Sequence, residues 1–210
     1  FVVDQWSVKK MIRRIVVSRT YRLASTGESV GWATDPENRL IWRANRKRLT
    51  AEAIRDSILS VSGQLSMQQG GPTIRKFSQY DFGYEFNTIR RSVYVPLFRN
   101  TLLEGLETFD VANPNVVSGR RSETTLPTQA LYLMNNATIA DYAKRIAARK
   151  DLPAEPTAKV KRLYKILFAH APAAEELALA GEYLGKKPDA AKWQNFVHAL
   201  LLTNEYSFID

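Results

Sequence analysis

The 210-residue sequence predicts a mainly α-helical fold: a multi-helix domain with one short β-hairpin and a C-terminal helical bundle. Three observations carry that expectation. Apolar residues recur at helical spacing along most of the chain. Strict alternation occurs only between Tyr80 and Val95. The last quarter holds three amphipathic stretches with short connections, the pattern of a bundle. The composition, 45% hydrophobic and 24% charged, is that of a folded chain.

The elements follow in order. "SVKKMIRRIVVSRTYR" reads as an amphipathic helix capped by Ser7. Val8, Met11, Ile12, Ile15 and Val16 form its apolar stripe, and Lys9, Lys10, Arg13 and Arg14 its basic face. "STGESVGWAT" reads as a loop. "DPENRLIWR" predicts a second helix, with Asp35 as cap and Pro36 in the first position. "RANRKRL" is a basic connector. Thr50 caps "AEAIRDSILSVSG", whose stripe is Ile54, Ile58, Val61 and Leu65 and whose terminator is Gly63. "QQGGP" is a turn.

The period then changes. "YDFGYEF" puts Tyr80, Phe82, Tyr84 and Phe86 on one face, and "RRSVYVPLF" follows as a second strand up to Pro96. The expected hairpin covers about residues 79–96. A lone hairpin is marginal in water, so its aromatic face must lie on helices. "TLLEGLETF" is a short helix. "TLPTQALYLMNN" is a longer one, capped by Thr125 with Pro127 in its first turn, and "NATIADYAKRIAARK" continues it after a break near Asn135 and Asn136. "DLPAEPT" is linker-like. Beyond it, Val160, Leu163, Tyr164 and Leu167; Leu177, Ala180 and Leu184; and Trp193, Phe196, Val197, Leu200 and Leu201 mark three helices. The expected organisation is a helical region over 1–150 and a C-terminal helical subdomain over 157–210, packed on the first.

Several kinds of chemistry are excluded. Without cysteine there are no disulfides, thiolate nucleophiles or zinc–thiolate sites in this segment. His170 and His198 do not stand in a metal-ligand spacing. No phosphate-binding glycine loop, G-x-S-x-G or H-E-x-x-H is present. No apolar run approaches the ~18 residues of a membrane span. The net charge of +9 is uneven: residues 1–48 hold 11 Lys/Arg against 4 Asp/Glu, and the remainder 19 against 17.

One stretch invites a site. "FDVANPNVVSGRRSETTLPTQALYLMNN" carries two arginines and several hydroxyls before a helix start. Free N–H groups, a favourable dipole and guanidinium donors together suit an anion. The candidates are Arg120, Arg121, Thr124, Thr125, Gln129 and Asn115. The plainer explanation is that the hydroxyls close turns and cap the helix, while the arginines pair with Asp110, Glu107, Glu123 or helix carbonyls. Asp110 and Glu123 are the best acid–base guesses, and neither belongs to a recognisable pair. No catalytic residue and no metal ligand is assigned.

Taken together, "WSVKKMIRRIVVSRTYR", "DPENRLIWRANRKRLTAEAIRDSILSVSGQL", "GGP", "RRSVYVPLFRN", "FDVANPN", "RRSETTLPTQALYLMNN" and "ALLLTNEYSFID" resemble a known family. It is the C-terminal domain of unknown function of planctomycete- and verrucomicrobia-type proteins that also carry cytochrome c-like domains. The resemblance implies an exported bacterial protein, periplasmic or at the cell surface. Upstream domains of the same protein would be its partners, haem would sit on one of them, and this segment would hold no cofactor. It also implies that the chain is a fragment lacking the first part of its own domain, in keeping with its abrupt start. One departure is "LFAHAP", Leu167 to Pro172, where family members often have a Leu-Gly-Arg-type turn.

Three functions compete. The first is a noncatalytic interaction or ligand-binding module, docking to the cytochrome-bearing part or to an anionic glycan. The second is part of an exported enzyme acting on glycans or other anionic polymers. The third is a nucleic-acid-binding domain, suggested by a pI of 9.8; the family context argues against it, and basic charge alone does not read bases.

Overall fold

Residues 47–48 pair with the last described residues of the chain. In the computed structural model, which describes residues 1–25, 30–74 and 83–209, β1 (Lys47–Arg48) pairs antiparallel with β2 (Phe208–Ile209). The chain divides into two compact units: Phe1–Arg48 with Phe208–Asp210, and Leu49–Ser207.

The first unit holds α1 (Val8–Val16) and α2 (Gly31–Thr34). Ser7 caps α1 by accepting from the Lys10 N–H at 3.4 Å. Arg14 reaches back to Asp4 at 2.6 Å. No residue of α1 is buried, so its apolar stripe lies open. The expected helix over "DPENRLIWR" does not form, and a short helix, α2, stands just before it in the supposed loop. Asp35 explains the change. Its carboxylate accepts from the Arg39 and Leu40 N–H groups at 2.9 and 2.8 Å, closing turns rather than starting a helix. Asn38 and Ile41 take left-handed φ values of 57° and 55°. Trp42 then folds back, donates to the Asp35 carbonyl at 2.9 Å, and lays its ring on Gly31. A Cβ at Gly31 would stand 2.4 Å from that ring, so only glycine fits. The basic connector supplies β1.

The second unit carries α3 (Ala51–Val61), α4 (Glu104–Thr108), α5 (Pro127–Asn135), α6 (Ala137–Ala147), α7 (Pro156–Leu167), α8 (Ala174–Leu184), α9 (Ala190–Leu201) and α10 (Asn204–Ser207). Thr50 caps α3 as expected, accepting from Ala53 N–H at 3.3 Å, and Gly63 ends it at φ 73°. Asn136 starts α6 by accepting from Thr138 N–H at 2.9 Å, which is the break between α5 and α6. The main seam runs between α6 and α9. Ala143, Ile146, Val197 and Leu201 have no more than a trace of exposure there. All five residues expected to form the α9 stripe are buried. The Pro-rich stretch after α6 lies inside this unit and is tied down. Arg149 bonds Asp151 at 2.8 Å and the Val61 carbonyl at 2.6 Å.

The expected hairpin is corrected in the described residues. The one small sheet among them is β1–β2. Tyr80 and Phe82 lie outside the described residues. From Tyr84 to Arg90 burial still alternates, yet the segment makes only an isolated bridge from Arg90 to Ser66, and Ser92–Tyr94 is a 3-10 turn. A side chain stands in for the missing strand: Arg55 of α3 donates to the carbonyls of Thr88 and Arg90. Tyr84 and Phe86 are half-buried and pack edge-on at 5.1 Å, with Phe98 against Tyr84.

His170, in the turn after α7, bonds Glu205 and the Ala171 carbonyl and stacks on Phe168. The Ala171 carbonyl first, then Glu205, raises the imidazole pKa above its ordinary 6.5, against partial desolvation. A raised folded-state pKa gives stability that is full below 6.5 and is lost as pH rises through the folded value. The pair is half exposed, so the expected gain is at most about 1 kcal/mol. Urea unfolding from pH 5 to 9 should show parent and H170Q converging toward alkaline pH; a constant gap would mean that packing, not charge, is at stake.

Candidate functional site

The six residues expected at an anion site do not converge on one cavity. Arg121 is committed to Glu52 of α3 at 2.8 Å. Desolvation raises the Glu52 pKa, but the hydrogen bond and charge of Arg121, with a backbone N–H and the Thr50 hydroxyl, together outweigh it and the net shift is downward. Arg120 is exposed, and its carbonyl accepts from Ser118. Asn115 donates to the Arg99 carbonyl at 3.0 Å.

Thr124 and Gln129 belong to a structural junction. Asp110, in the left-handed region at φ 62°, accepts from both the N–H and the hydroxyl of Thr124 at 2.8–2.9 Å. Gln129 is buried, donates to the Thr108 and Thr124 carbonyls at 3.1 and 3.2 Å, and accepts from the Leu126 N–H at 3.3 Å. That junction fixes α5 against the end of α4. It also corrects the capping expectation. Leu126 is the cap residue, no cap hydroxyl serves α5, and the exposed Thr125 stands one place earlier. The amide of Gln129 does the work the hydroxyl was expected to do. Gln129→Ala should therefore cost about 1–3 kcal/mol by orphaning buried partners, and Thr125→Ala less than about 0.5 kcal/mol. Equal denaturant midpoints for the two variants would refute this assignment.

The cavity in the Leu49–Ser207 unit lies elsewhere, and sequence reading missed it. About 550 Å³ opens between α3, α4, the α5–α6 corner and residues 85–89. Ile54, Ile58, Leu103, Phe109 and Ile139 supply apolar wall, and Phe86 closes one side. Into it face Arg55, Glu85, Glu104, Tyr132, Thr138 and Tyr142. Helical spacing explains the placement: Gln129 and Tyr132 are three apart on α5, so the junction that locks Gln129 also sets Tyr132. Tyr132 lies edge-on to Phe109 at 6.1 Å.

The electrostatics suit binding. Burial, then the nearby Glu104 carboxylate, raises the Tyr132 pKa. Burial chiefly raises that of Tyr142. Both phenols therefore stay protonated at neutral pH and are available to donate hydrogen bonds to a ligand. Arg55 faces the cavity but is spoken for. It donates to the Thr88 and Arg90 carbonyls and to the Ser92 hydroxyl, and lies 3.5 Å from Asp56. Asp56 in turn accepts from the N–H and hydroxyl of Ser92 at 2.7 Å. The cluster is thus a rigid wall. Neither histidine faces the cavity; His198 donates from Nε2 to the Leu133 carbonyl at 2.9 Å. Signals for this site were present as Tyr132 and Tyr142, the single aromatics of α5 and α6. Nothing local pointed them at Arg55, far earlier in the chain.

The chain matches, over residues 1–184, the family described as PSD1, a protein of unknown function (DUF1553). No curated protein and no solved structure matches it. No helix among the described residues is long and apolar enough to cross a membrane.

Proposed function

The chain belongs to the PSD1 (DUF1553) family, and from that premise we propose that it is a noncatalytic ligand-binding module of a larger exported, cytochrome c-linked bacterial protein. The carrying observation is the cavity of about 550 Å³ in the Leu49–Ser207 unit. Its size suits a small ligand, its wall is mostly apolar, and a few polar groups converge on it. Protonated Tyr132 and Tyr142 act as donors, and the fixed Arg55 holds the wall in shape before any ligand arrives, which lowers the ordering cost of binding. Haem on an upstream domain and export to the periplasm or cell surface are part of the same proposal, supported by the sequence resemblance. The anion contact expected at Arg120 is a separate, surface feature, because none of the six candidates lines the cavity.

An enzymatic reading has one observation in its favour: two carboxylates, Glu85 and Glu104, line the same cavity. Ligand-observed NMR of the whole chain with a fragment library distinguishes the readings. Hits should bind unchanged in chemical form and be lost in Thr138→Trp, which fills the cavity mouth from an exposed position. Hits that persist in that variant would refute the cavity as the site. Turnover of a nitrophenyl glycoside that Glu104→Gln abolishes would establish the enzyme instead.

A further inference from the structure

We infer that the cavity is one end of a longer groove taking a neutral, hydroxyl-rich chain, an oligosaccharide; this rests on the ligand-binding reading above. A second hollow of about 500 Å³ is lined by Glu104, Thr108, Thr128, Asn135 and Asn136, with Tyr132 and Leu131. Glu104, Tyr132 and Asn136 line both hollows, so the two share a wall. Tyr132 stands at the junction. A Cβ on Gly105 would come within 2.7 Å of its hydroxyl, so the end of the Tyr132 ring lies close against the α4 backbone and would have to shift for any larger residue there.

The chemistry of the lining selects the ligand class. Carboxylates accept from sugar hydroxyls, side-chain amides both donate and accept, and ring faces cover the apolar side of a pyranose. The second hollow is rich in such groups: Glu104, Asn135, Asn136, Thr108 and Thr128. An acidic chain is disfavoured. Glu85 and Glu104 carry negative charge, and the one lining cation among the described residues, Arg55, is bonded to Thr88, Arg90 and Ser92. The basic excess of the chain lies in residues 1–48, outside this unit. A peptide would want apolar side-chain pockets along its length or an open strand edge; among the described residues the second hollow offers Leu131 and Ala137 as its aliphatic lining.

Isothermal titration of the whole chain tests this with cellobiose, cellohexaose, chitohexaose, hexagalacturonate and a Gly-Ser-rich hexapeptide. A neutral hexasaccharide should bind at least about ten-fold tighter than the disaccharide. Thr128→Trp, at an exposed position in the second hollow, should erase that difference while the melting temperature stays within a degree of the parent. Tyr142→Phe should weaken disaccharide and hexasaccharide alike. Equal affinity for the two lengths overturns the groove. Tighter binding of hexagalacturonate or of the peptide overturns the ligand class. If no saccharide binds, the inference fails, and the fragment hits lost in Thr138→Trp still decide the fate of the cavity reading separately.

Discussion

Arg55→Met should lower stability by about 2–3 kcal/mol, because one half-buried side chain supplies several hydrogen bonds at once. Burial of the guanidinium lowers the Arg55 pKa, a sign that the surroundings already disfavour its charge. Two carbonyls, the Ser92 hydroxyl and the Asp56 carboxylate would lose a donor or counter-charge together. Methionine keeps much of the stem volume, so the loss reports the head group rather than a cavity. The same change should free residues 88–90 from α3, with Ser92 still held by Asp56, and weaken binding in the cavity that Thr88 and Ile89 line. Amide exchange should accelerate in that segment while the α6–α9 seam keeps its protection. A variant as stable as the parent, with slow exchange at 88–90, would mean that the carbonyls find other donors and that the arginine is no staple.

Leu201→Ala should cost about 3–5 kcal/mol, because the side chain is fully buried in the α6–α9 seam. Its failure would spread differently. The seam includes the fully buried Ile146, Val197 and Leu201, so unfolding should remain cooperative, with a lower denaturant midpoint and an unchanged slope. The contrast between the two variants is the test. One should loosen a wall, and the other should weaken the whole unit. A local exchange effect confined to α9 in Leu201→Ala would show that the seam is less cooperative than its packing implies.

Much of the helical frame was legible because its signals are local. Ser7, Thr50 and Asn136 cap the helices they were expected to cap or begin. The α9 stripe was read correctly because five large apolar residues at one spacing leave little choice. The misreadings share a cause. Asp35 followed by Pro36 looks like a helix start, but its carboxylate was taken by amides four and five residues on. The alternation after Gly83 was real as burial, yet its partner was Arg55 rather than a strand. Thr125 had the chemistry of a cap and Gln129 had the position. The cavity was illegible for the same reason at larger scale. Ile54, Arg55, Phe86, Glu104 and Tyr142 meet only after the helices pack. No spacing rule connects them.

The Leu49 N–H donates to the Ser207 carbonyl at 2.8 Å, so the second unit starts and finishes at a single point. A length of chain with that property is a cassette. It can be spliced into a tight turn of a foreign scaffold without prising the turn open, and its own ends can be joined and new ones cut elsewhere, as in a circular permutant. Mechanically, tension applied through the first unit's two chain crossings would pull at neighbouring atoms. It would open a two-residue ladder before loading the α6–α9 seam.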